Sequence, residues 1–185
     1  MIKPLLQVRH LSLGFSHQDP TTGTPRMVDA LSAISFQLHA GETLALLGES
    51  GCGKSLTALA LMRLLPPQAR FQAGHVLLSS SEPGSRSEDL LRVSEDRMRQ
   101  IRGQRMAMIF QEPATSLNPV MRIGEQIKEV LRLHRGMTVA ACEEEVLALL
   151  AQVGLPDPQR AASAYPFELS GGMKQRAMIA MALAG

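Results

Sequence analysis

Aromatic residues are scarce in this sequence: tryptophan is absent, tyrosine occurs once, and aromatics make up 3% of the 185 residues. Aliphatic residues and methionine must therefore fill any core, and the apolar share of 45% is sufficient for one. Methionine packs adaptably, so Met106, Met108, Met178 and Met181 are interpreted as core residues rather than as a functional group. The length suits one ordinary domain, or one domain with a small insertion.

Other features are missing too, and each absence excludes a class of protein. Cys52 and Cys142 are the only cysteines, which excludes a disulfide framework and favours a reducing compartment. The first seven residues lack the pattern of a signal peptide, and no stretch approaches the ~20 apolar residues of a transmembrane helix. The net charge of +2 is small and the two signs are interspersed, so no nucleic-acid partner is indicated. We expect a soluble protein whose membrane association would come through a partner.

The pattern of apolar residues predicts strands separated by glycine- and proline-rich loops. Alternation predicts half-buried strands at residues 5–15 and 33–39, with a loop at 17–26, and a further short strand is expected at 75–78. Continuous apolar runs at 43–47 and 106–110 are typical of strands buried on both faces. Residues 79–87 are serine-rich and predict a loop.

Helices are predicted in two parts of the chain. Residues 55–65 are almost wholly apolar and end at Pro66-Pro67, which predicts a buried helix directly after a strand and a glycine-rich turn, the start of an α/β fold. Beyond residue 113 the spacing becomes helical, with Thr138 as an N-cap and Gly154 as the stop of one helix. A last helix begins near Ser170. The fold class expected is an α/β core with a helical insertion.

The glycine-rich turn matches the phosphate-binding pattern G-x-x-x-x-G-K-[ST] in full. Its eight residues are Gly48, Glu49, Ser50, Gly51, Cys52, Gly53, Lys54 and Ser55, and Leu56 follows in the helix. The glycines let backbone N–H groups wrap around phosphate oxygens at the positive end of a helix. Lys54 would reach the β- and γ-phosphates of ATP, and the Ser55 hydroxyl would bind Mg²⁺. The alternative is an accidental glycine turn with a stray lysine. It is disfavoured because a predicted strand precedes this turn and a predicted helix follows it.

Cys52 lies inside this turn and admits two interpretations. It is either a small residue tolerated at a variable position or a thiol within the nucleotide site. We expect alkylation of this thiol to slow when MgATP is bound.

Two further segments resemble motifs of the ABC-transporter ATPases. Phe110-Gln111-Glu112-Pro113, followed by Ser116-Leu117-Asn118-Pro119, resembles the Q-loop, and Leu169-Ser170-Gly171-Gly172-Met173-Lys174-Gln175-Arg176 resembles the signature. The order of the motifs matches this family over essentially the whole chain. The residues in and around these motifs are most similar to those of the oligopeptide, dipeptide, glutathione and nickel importer group, for example at Tyr165-Pro166 before the signature.

The resemblance implies a P-loop NTPase core with an antiparallel N-terminal part, and a helical subdomain. It places the nucleotide-binding core at residues 1–112 and the helical subdomain at 113–185. Phe15 would stack on the adenine, and Gln111 would sense Mg²⁺ and water. Ser170, Gly171, Gly172 and Gln175 would face the γ-phosphate held by an opposite ATPase subunit or domain.

The resemblance also implies partners and a location. These are a second ATPase in a head-to-tail dimer, two membrane-spanning permease subunits and, indirectly, a substrate-binding protein. The ATPase would lie on the cytoplasmic face of the inner membrane and would drive uptake of peptides or similar small solutes with ATP and Mg²⁺.

The family's Walker B strand, catalytic glutamate and switch histidine follow the signature, and this chain ends at Gly185 before them. No residue is therefore assigned as catalytic, and we expect the chain to be an N-terminal fragment that is inactive alone. Glu112 is not the missing base, because its segment matches the Q-loop and precedes the signature. The alternatives are a nucleotide-binding module without hydrolysis and a soluble ABC ATPase without a transport role.

Overall fold

The structure is a computed structural model that describes residues 3–18, 23–80, 86–112 and 116–185. Its residues form two compact units, one up to Glu95 and one from Asp96 to Gly185. The expected boundary at residue 112 lies further along the chain than this structural division. None of the helices in the described ranges is both long enough and apolar enough to cross a membrane.

The first unit is built on a four-stranded antiparallel sheet with strand order β2-β1-β3-β4. The strands are β1 (Leu6–Gln18), β2 (Pro25–Leu38), β3 (Ala69–Leu78) and β4 (Glu88–Asp89), and helix α1 (Lys54–Leu61) lies between β2 and β3. The strands predicted at 5–15, 33–39 and 75–78 are confirmed. The loop predicted at 17–26 is shorter than expected, because β1 and β2 extend into it, and residues 19–22 lie outside the described ranges.

A bulge in β1 changes which side of the strand faces the core. Leu6 and Val8 are buried before the bulge, and Leu11 and Leu13 after it, so the buried positions shift by one residue. His10 adopts a positive φ of 47°, and its N–H donates to the Ser35 hydroxyl at 2.8 Å. Gly74 allows β3 to approach the bulge, because a Cβ there would lie 2.6 Å from the His10 carbonyl oxygen. The alternation of the sequence is only approximate for this reason.

Two strand predictions are wrong. Residues 43–47 and 106–110 do not belong to any strand, apart from a single isolated bridge at Met106. Leu47 is 91% exposed and Ile109 is 51% exposed, although both belong to continuous apolar runs. A strand of a parallel sheet needs ladder partners beside it and cover on both faces. None of the strands in the described ranges pairs with either run.

Helix α1 is shorter than the predicted helix at 55–65. It ends at Leu61, and Arg63 then adopts a positive φ of 52°. The Arg63 guanidinium donates to the carbonyl oxygens of Leu90 at 3.2 Å and Val93 at 2.8 Å, and it pairs with Glu95 at 3.2 Å. The chain therefore turns before Pro66 because Arg63 connects the end of α1 to the segment that follows β4. The loop predicted at 79–87 falls partly on residues 81–85, which lie outside the described ranges.

The second unit is helical. Its elements are α2 (Glu95–Gln104, beginning at the unit boundary), α3 (Ile123–Arg135), α4 (Val139–Gln152), α5 (Pro158–Ser163), a 3₁₀ turn (Pro166–Glu168) and α6 (Gly171–Ala184). Thr138 caps α4 as predicted, since its hydroxyl accepts from the Ala141 N–H, and Gly154 ends the segment with a φ of 75°. Buried aliphatic side chains of α3, α4 and α6, among them Ile127, Leu131 and Leu150, form one core.

Charged pairs join α3 to α4 outside this core. Lys128 lies 3.1 Å from Glu125 and 3.2 Å from Glu143, and Arg135 lies 2.8 Å from Glu145. The hydrogen bond to Glu125, with a second to Glu143, raises the pKa of Lys128 above its ordinary value. The two helices are therefore connected by ion pairs at two levels along α3.

Candidate functional site

The phosphate-binding turn of the first unit is a curved, open loop that leads directly into α1. Gly51 and Gly53 have φ values of 84° and 95°, a region that residues with a Cβ rarely adopt. A Cβ on Gly53 would also lie 2.7 Å from a Leu31 methyl group. Glycine is therefore required at both positions for the loop to adopt this conformation and reach the helix.

The Lys54 side chain folds back over this loop. Its Nζ donates to the carbonyl oxygens of Gly48 at 2.8 Å and Glu49 at 2.7 Å, and Cys52 Sγ lies 3.6 Å away. An ammonium has three N–H donors, so two maintain the curve of the loop and the third faces a weak sulfur acceptor. A phosphate oxygen would be a much stronger partner for that third donor.

The remaining side chains of the loop are open to a ligand. Glu49, Ser50, Cys52 and Ser55 are exposed, and Leu56 is half-buried. The first turn of α1 is held in place because the hydroxyl of buried Thr57 donates a hydrogen bond to the Gly53 carbonyl oxygen at 2.9 Å. Gly48 leaves room for the Cys52 thiol, since a Cβ at Gly48 would lie 2.5 Å from Sγ. The donor set, with backbone N–H groups, the Lys54 ammonium and the Ser55 hydroxyl, fits a nucleoside triphosphate with Mg²⁺.

Phe15 lies on β1 in the same unit. It is opposite Val28 of β2 and Ala69 of β3, and its ring is half-buried. The structure therefore places it within the sheet, with part of the ring accessible.

Gln111 of the second unit is exposed and lies in irregular chain. Glu112 follows it, and its carbonyl oxygen accepts from the Ser116 hydroxyl at 3.1 Å. Pro113 and Thr115 of the Q-loop resemblance lie outside the described ranges. The hydrogen bond from the Ser116 hydroxyl to the Glu112 carbonyl oxygen therefore joins residues on either side of that gap.

The signature residues form the start of α6. The Ser170 hydroxyl caps the helix by accepting from the Met173 N–H at 3.4 Å. Ser170, Gly171, Gly172 and Gln175 are exposed, and a Cβ on either glycine would meet nothing within 4 Å. The start of this 14-residue helix is thus open beside the two glycines, and an anion is favourable at a helix N-terminus.

The chain entering the signature is held by a reciprocal cap. The Glu168 carboxylate accepts from the Tyr165 N–H at 2.6 Å, and the rings of Tyr165 and Phe167 stack with centroids 5.5 Å apart. Further along α6, the Arg176 guanidinium donates to the Gly154 carbonyl at the end of α4. These contacts fix the direction in which α6 leaves the 3₁₀ turn.

Sequence reasoning missed two polar side chains that shape these segments, Arg63 and Gln126. Gln126 is 7% exposed and lies on the same face of α3 as the apolar residues Ile123 and Ile127. A glutamine at helical spacing within an apolar face was the available signal, because a buried amide must have hydrogen-bond partners.

Comparison with known proteins identifies the family. The family model described as ABC transporter matches residues 31–185. A probable peptide ABC transporter ATP-binding protein of Sinorhizobium fredii is 45% identical over 181 residues, which is 97% of this chain and 50% of that protein. The dipeptide transport ATP-binding protein of Bacillus subtilis is 43% identical over 98% of this chain and 51% of its own length. This chain spans about half the length of these curated relatives.

Solved structures share the fold. The dimeric structure of a bacterial ABC transporter cassette superimposes with a TM-score of 0.76 at 23% identity, covering 97% of this chain and 69% of that one. A post-hydrolysis state of the same cassette, bound to ADP and Pi, gives a TM-score of 0.77. The expected fold class, a P-loop NTPase core with an antiparallel N-terminal part and helices, is confirmed. The chain belongs to the ABC transporter family, among its ATP-binding proteins.

Proposed function

We propose that this chain is the ATP-binding part of an importer, which couples ATP binding and hydrolysis to the uptake of peptides or similar small solutes. The observation that carries the nucleotide part is the geometry of the loop at residues 48–55. Gly51 and Gly53 adopt left-handed conformations, and one ammonium donor of Lys54 faces only the weak sulfur acceptor of Cys52, which a phosphate oxygen would replace. The transport part is supported by the relatives in Sinorhizobium and Bacillus, which are named as peptide and dipeptide transport proteins.

In this proposal the first unit holds the nucleotide. Backbone N–H groups of residues 48–53 bind the phosphate oxygens, and Lys54 neutralises the charge of the β- and γ-phosphates. The Ser55 hydroxyl is one ligand of Mg²⁺, which supplies charge neutralisation at the phosphates when bound. Phe15 supports the adenine ring, and Leu56 continues the helix behind the phosphates. Residues 1–112 act together as the nucleotide-binding domain.

Residues 113–185 form the helical domain that completes the site of a partner. Gln111 contacts Mg²⁺ or its water. Ser170, Gly171, Gly172 and Gln175 face the γ-phosphate held by a second ATPase subunit or domain, in a head-to-tail dimer. That arrangement is supported by the N-terminus of α6, where a Cβ on Gly171 or Gly172 would meet nothing within 4 Å in the part of the chain that the structure describes.

The partners of the proposed importer lie at a membrane. Two permease subunits would carry the ATPase on the cytoplasmic face of the inner membrane, and a substrate-binding protein would deliver the solute. No residue of this chain is assigned as the general base of ATP hydrolysis.

Binding of MgATP tests the nucleotide part. Lys54→Ala should lower the affinity for a fluorescent ATP analogue by about 10- to 100-fold, because a hydrogen bond to a charged group contributes roughly 1.5–3 kcal/mol. Lys3→Ala removes the same charge at an exposed residue outside the loop and serves as the control. If Lys54→Ala keeps the ATP affinity of the parent chain, and its circular dichroism shows that it is folded, the assignment of Lys54 to the phosphates is overturned.

Growth tests the transport part. In a strain that lacks peptide importers, the ATPase and its permease subunits should restore growth on a dipeptide that supplies a required amino acid. The Lys54→Ala version should not restore growth. Restoration by the Lys54→Ala version would separate peptide uptake from this nucleotide site.

A further inference from the structure

Gln126 holds the turn at residues 118–121 by a buried amide. Its Oε1 accepts from the Asn118 N–H at 3.0 Å, and its Nε2 donates to the carbonyl oxygens of Asn118 at 3.0 Å and Met121 at 2.9 Å. One acceptor and both donors of the amide are thus used on a single turn. Since the side chain is only 7% exposed, water cannot readily replace these bonds, and the turn is fixed to the first turn of α3.

This turn directly follows the Q-loop segment. Ser116 contacts the Glu112 carbonyl, and Leu117, 3% exposed, packs into the helical core. The Asn118 side chain then accepts from the Val120 N–H at 3.1 Å. The chain that leaves Gln111 is therefore anchored, within a few residues, at a point that Gln126 holds.

The same turn of α3 also holds the segment before the signature. The Ile123 N–H donates to the Ala164 carbonyl at 2.9 Å, and a Cβ on Gly124 would lie 2.9 Å from the Ala162 carbonyl oxygen. The Arg122 guanidinium lies over the Tyr165 ring, 5.7 Å from its centroid. Residues 122–126 thus contact both the turn at 118–121 and the segment that precedes the signature. These five residues are called the α3 junction below.

We propose that the α3 junction positions the Q-loop and signature segments relative to each other, with Gln126 as its positioning residue. The contacts are those of the structure, whereas the nucleotide roles of the two segments rest on the proposed function. A displacement of the turn at 118–121 would pass through α3 to Ala164 and Tyr165, because the same short stretch of helix is bonded to both. Gln126 contacts no nucleotide in this scheme and acts only through the backbone that it holds.

Amide hydrogen exchange of the full chain, measured by NMR without nucleotide, tests the contacts. Gln126→Met preserves the size of the side chain but removes all three hydrogen bonds. We expect the amides of Asn118 and Met121 to exchange on the order of 10- to 100-fold faster, and those of Ile123 and Tyr165 at least about threefold faster. Gln152→Met makes the same replacement at an exposed position of α4 and should change none of these rates.

Two patterns would overturn the proposal. Acceleration confined to residues 118–121 would show that the turn is held but not coupled to the signature side. Equal acceleration of every amide, including the core of α4 at Val146, would show general loosening instead of positioning.

Gln126→Glu adds a pH profile, and Val146 in the core of α4 separates positioning from general loosening, which would recover at Val146 as well. A buried carboxylate presents only acceptors to the two carbonyl oxygens, whereas a protonated carboxyl group regains one donor. After correction for intrinsic exchange, Asn118, Ile123 and Tyr165 should therefore recover protection together as the pH falls. Recovery of Asn118 without Ile123 and Tyr165, or no recovery at any of the three, would overturn the proposal.

MgATP tests whether the junction serves the nucleotide site. In the proposed head-to-tail dimer, where the nucleotide of the partner faces the signature, MgATP should slow exchange at Tyr165 in the parent chain, and Gln126→Met should lose at least half of this protection. Equal protection in both chains, or none in a parent chain that forms this dimer with MgATP, would overturn the positioning role. If MgATP does not bind through Lys54, the proposed function is refuted instead. The exchange rates measured without nucleotide would then test the α3 junction by themselves.

Discussion

Replacing Leu131 by alanine should destabilise the helical unit far more than the same change at Leu133, two residues along α3. Leu131 is fully buried in the core shared by α3, α4 and α6, whereas Leu133 is 74% exposed. A leucine-to-alanine change in a core costs roughly 2–5 kcal/mol, because it removes buried methyl groups and leaves a cavity. With complete burial on a helix held by two neighbours, we expect about 3 kcal/mol or more for Leu131→Ala. Leu133→Ala should stay within about 0.5 kcal/mol.

The sequence provides a probe for this unit alone. Tyr165 is the only tyrosine and tryptophan is absent, so tyrosine fluorescence during urea unfolding reports on the helical unit. A loss of 3 kcal/mol should lower the urea midpoint by roughly 1–3 M for a unit of this size. Equal midpoints for the two variants, or a larger effect at Leu133, would refute the placement of α3 and its buried face.

Two further predictions concern single side chains. Alkylation of the exposed Cys52 should slow several-fold with MgATP, whereas buried Cys142 should stay unreactive in the folded chain; in mass spectrometry, equal rates of Cys52 labelling with and without nucleotide would count against its place in the site. Hydrogen bonds from the His39 backbone N–H, and then from the His39 ring, lower the pKa of Glu42 below its ordinary value. A depressed pKa contributes stability that is present above the unfolded-state pKa and is lost as the pH falls through the folded-state value, so Glu42→Gln should flatten the acid side of the stability profile measured by urea unfolding. A Glu42→Gln profile parallel to that of the parent chain would contradict this assignment.

Elements set by local signals were predictable from the sequence. Thr138 and Ser170 are N-cap residues with hydroxyls, and each accepts a backbone N–H three residues on. Gly154 ends the α4 segment at a positive φ that few other residues adopt. The glycine pattern at residues 48–55 likewise determines its own backbone shape. In each case the cause lies within a few residues of its effect, so no knowledge of distant contacts is needed.

Features that depend on distant partners were not predictable. The bulge at His10 needs Ser35 and Gly74, which lie 25 and 64 residues along the chain. The turn at 118–121 is fixed by Gln126, whose place on an apolar helix face indicates burial but does not identify the backbone groups that it bonds. Arg63 ends α1 through carbonyl groups near residue 90. Periodicity records which face is apolar, but not which remote group accepts a hydrogen bond.

The sequence pattern and the structure give opposite expectations for the apolar run at residues 43–47, and one substitution can decide between them. The pattern predicts that Leu47 is buried on a central strand, whereas the structure exposes 91% of it. Leu47→Lys should therefore change the free energy of unfolding by no more than about 0.5 kcal/mol and reduce self-association of the chain, since exposed apolar patches promote it.

Leu13→Lys is the matched control, because Leu13 is fully buried on β1 of the same unit. Burial of an unpaired ammonium there should cost more than about 4 kcal/mol, as expected for an uncompensated charge in a core. Circular dichroism during urea unfolding measures both variants. If Leu47→Lys loses several kcal/mol as well, the run is packed as the pattern predicts, and the exposed arrangement of residues 43–47 is wrong for the chain in solution.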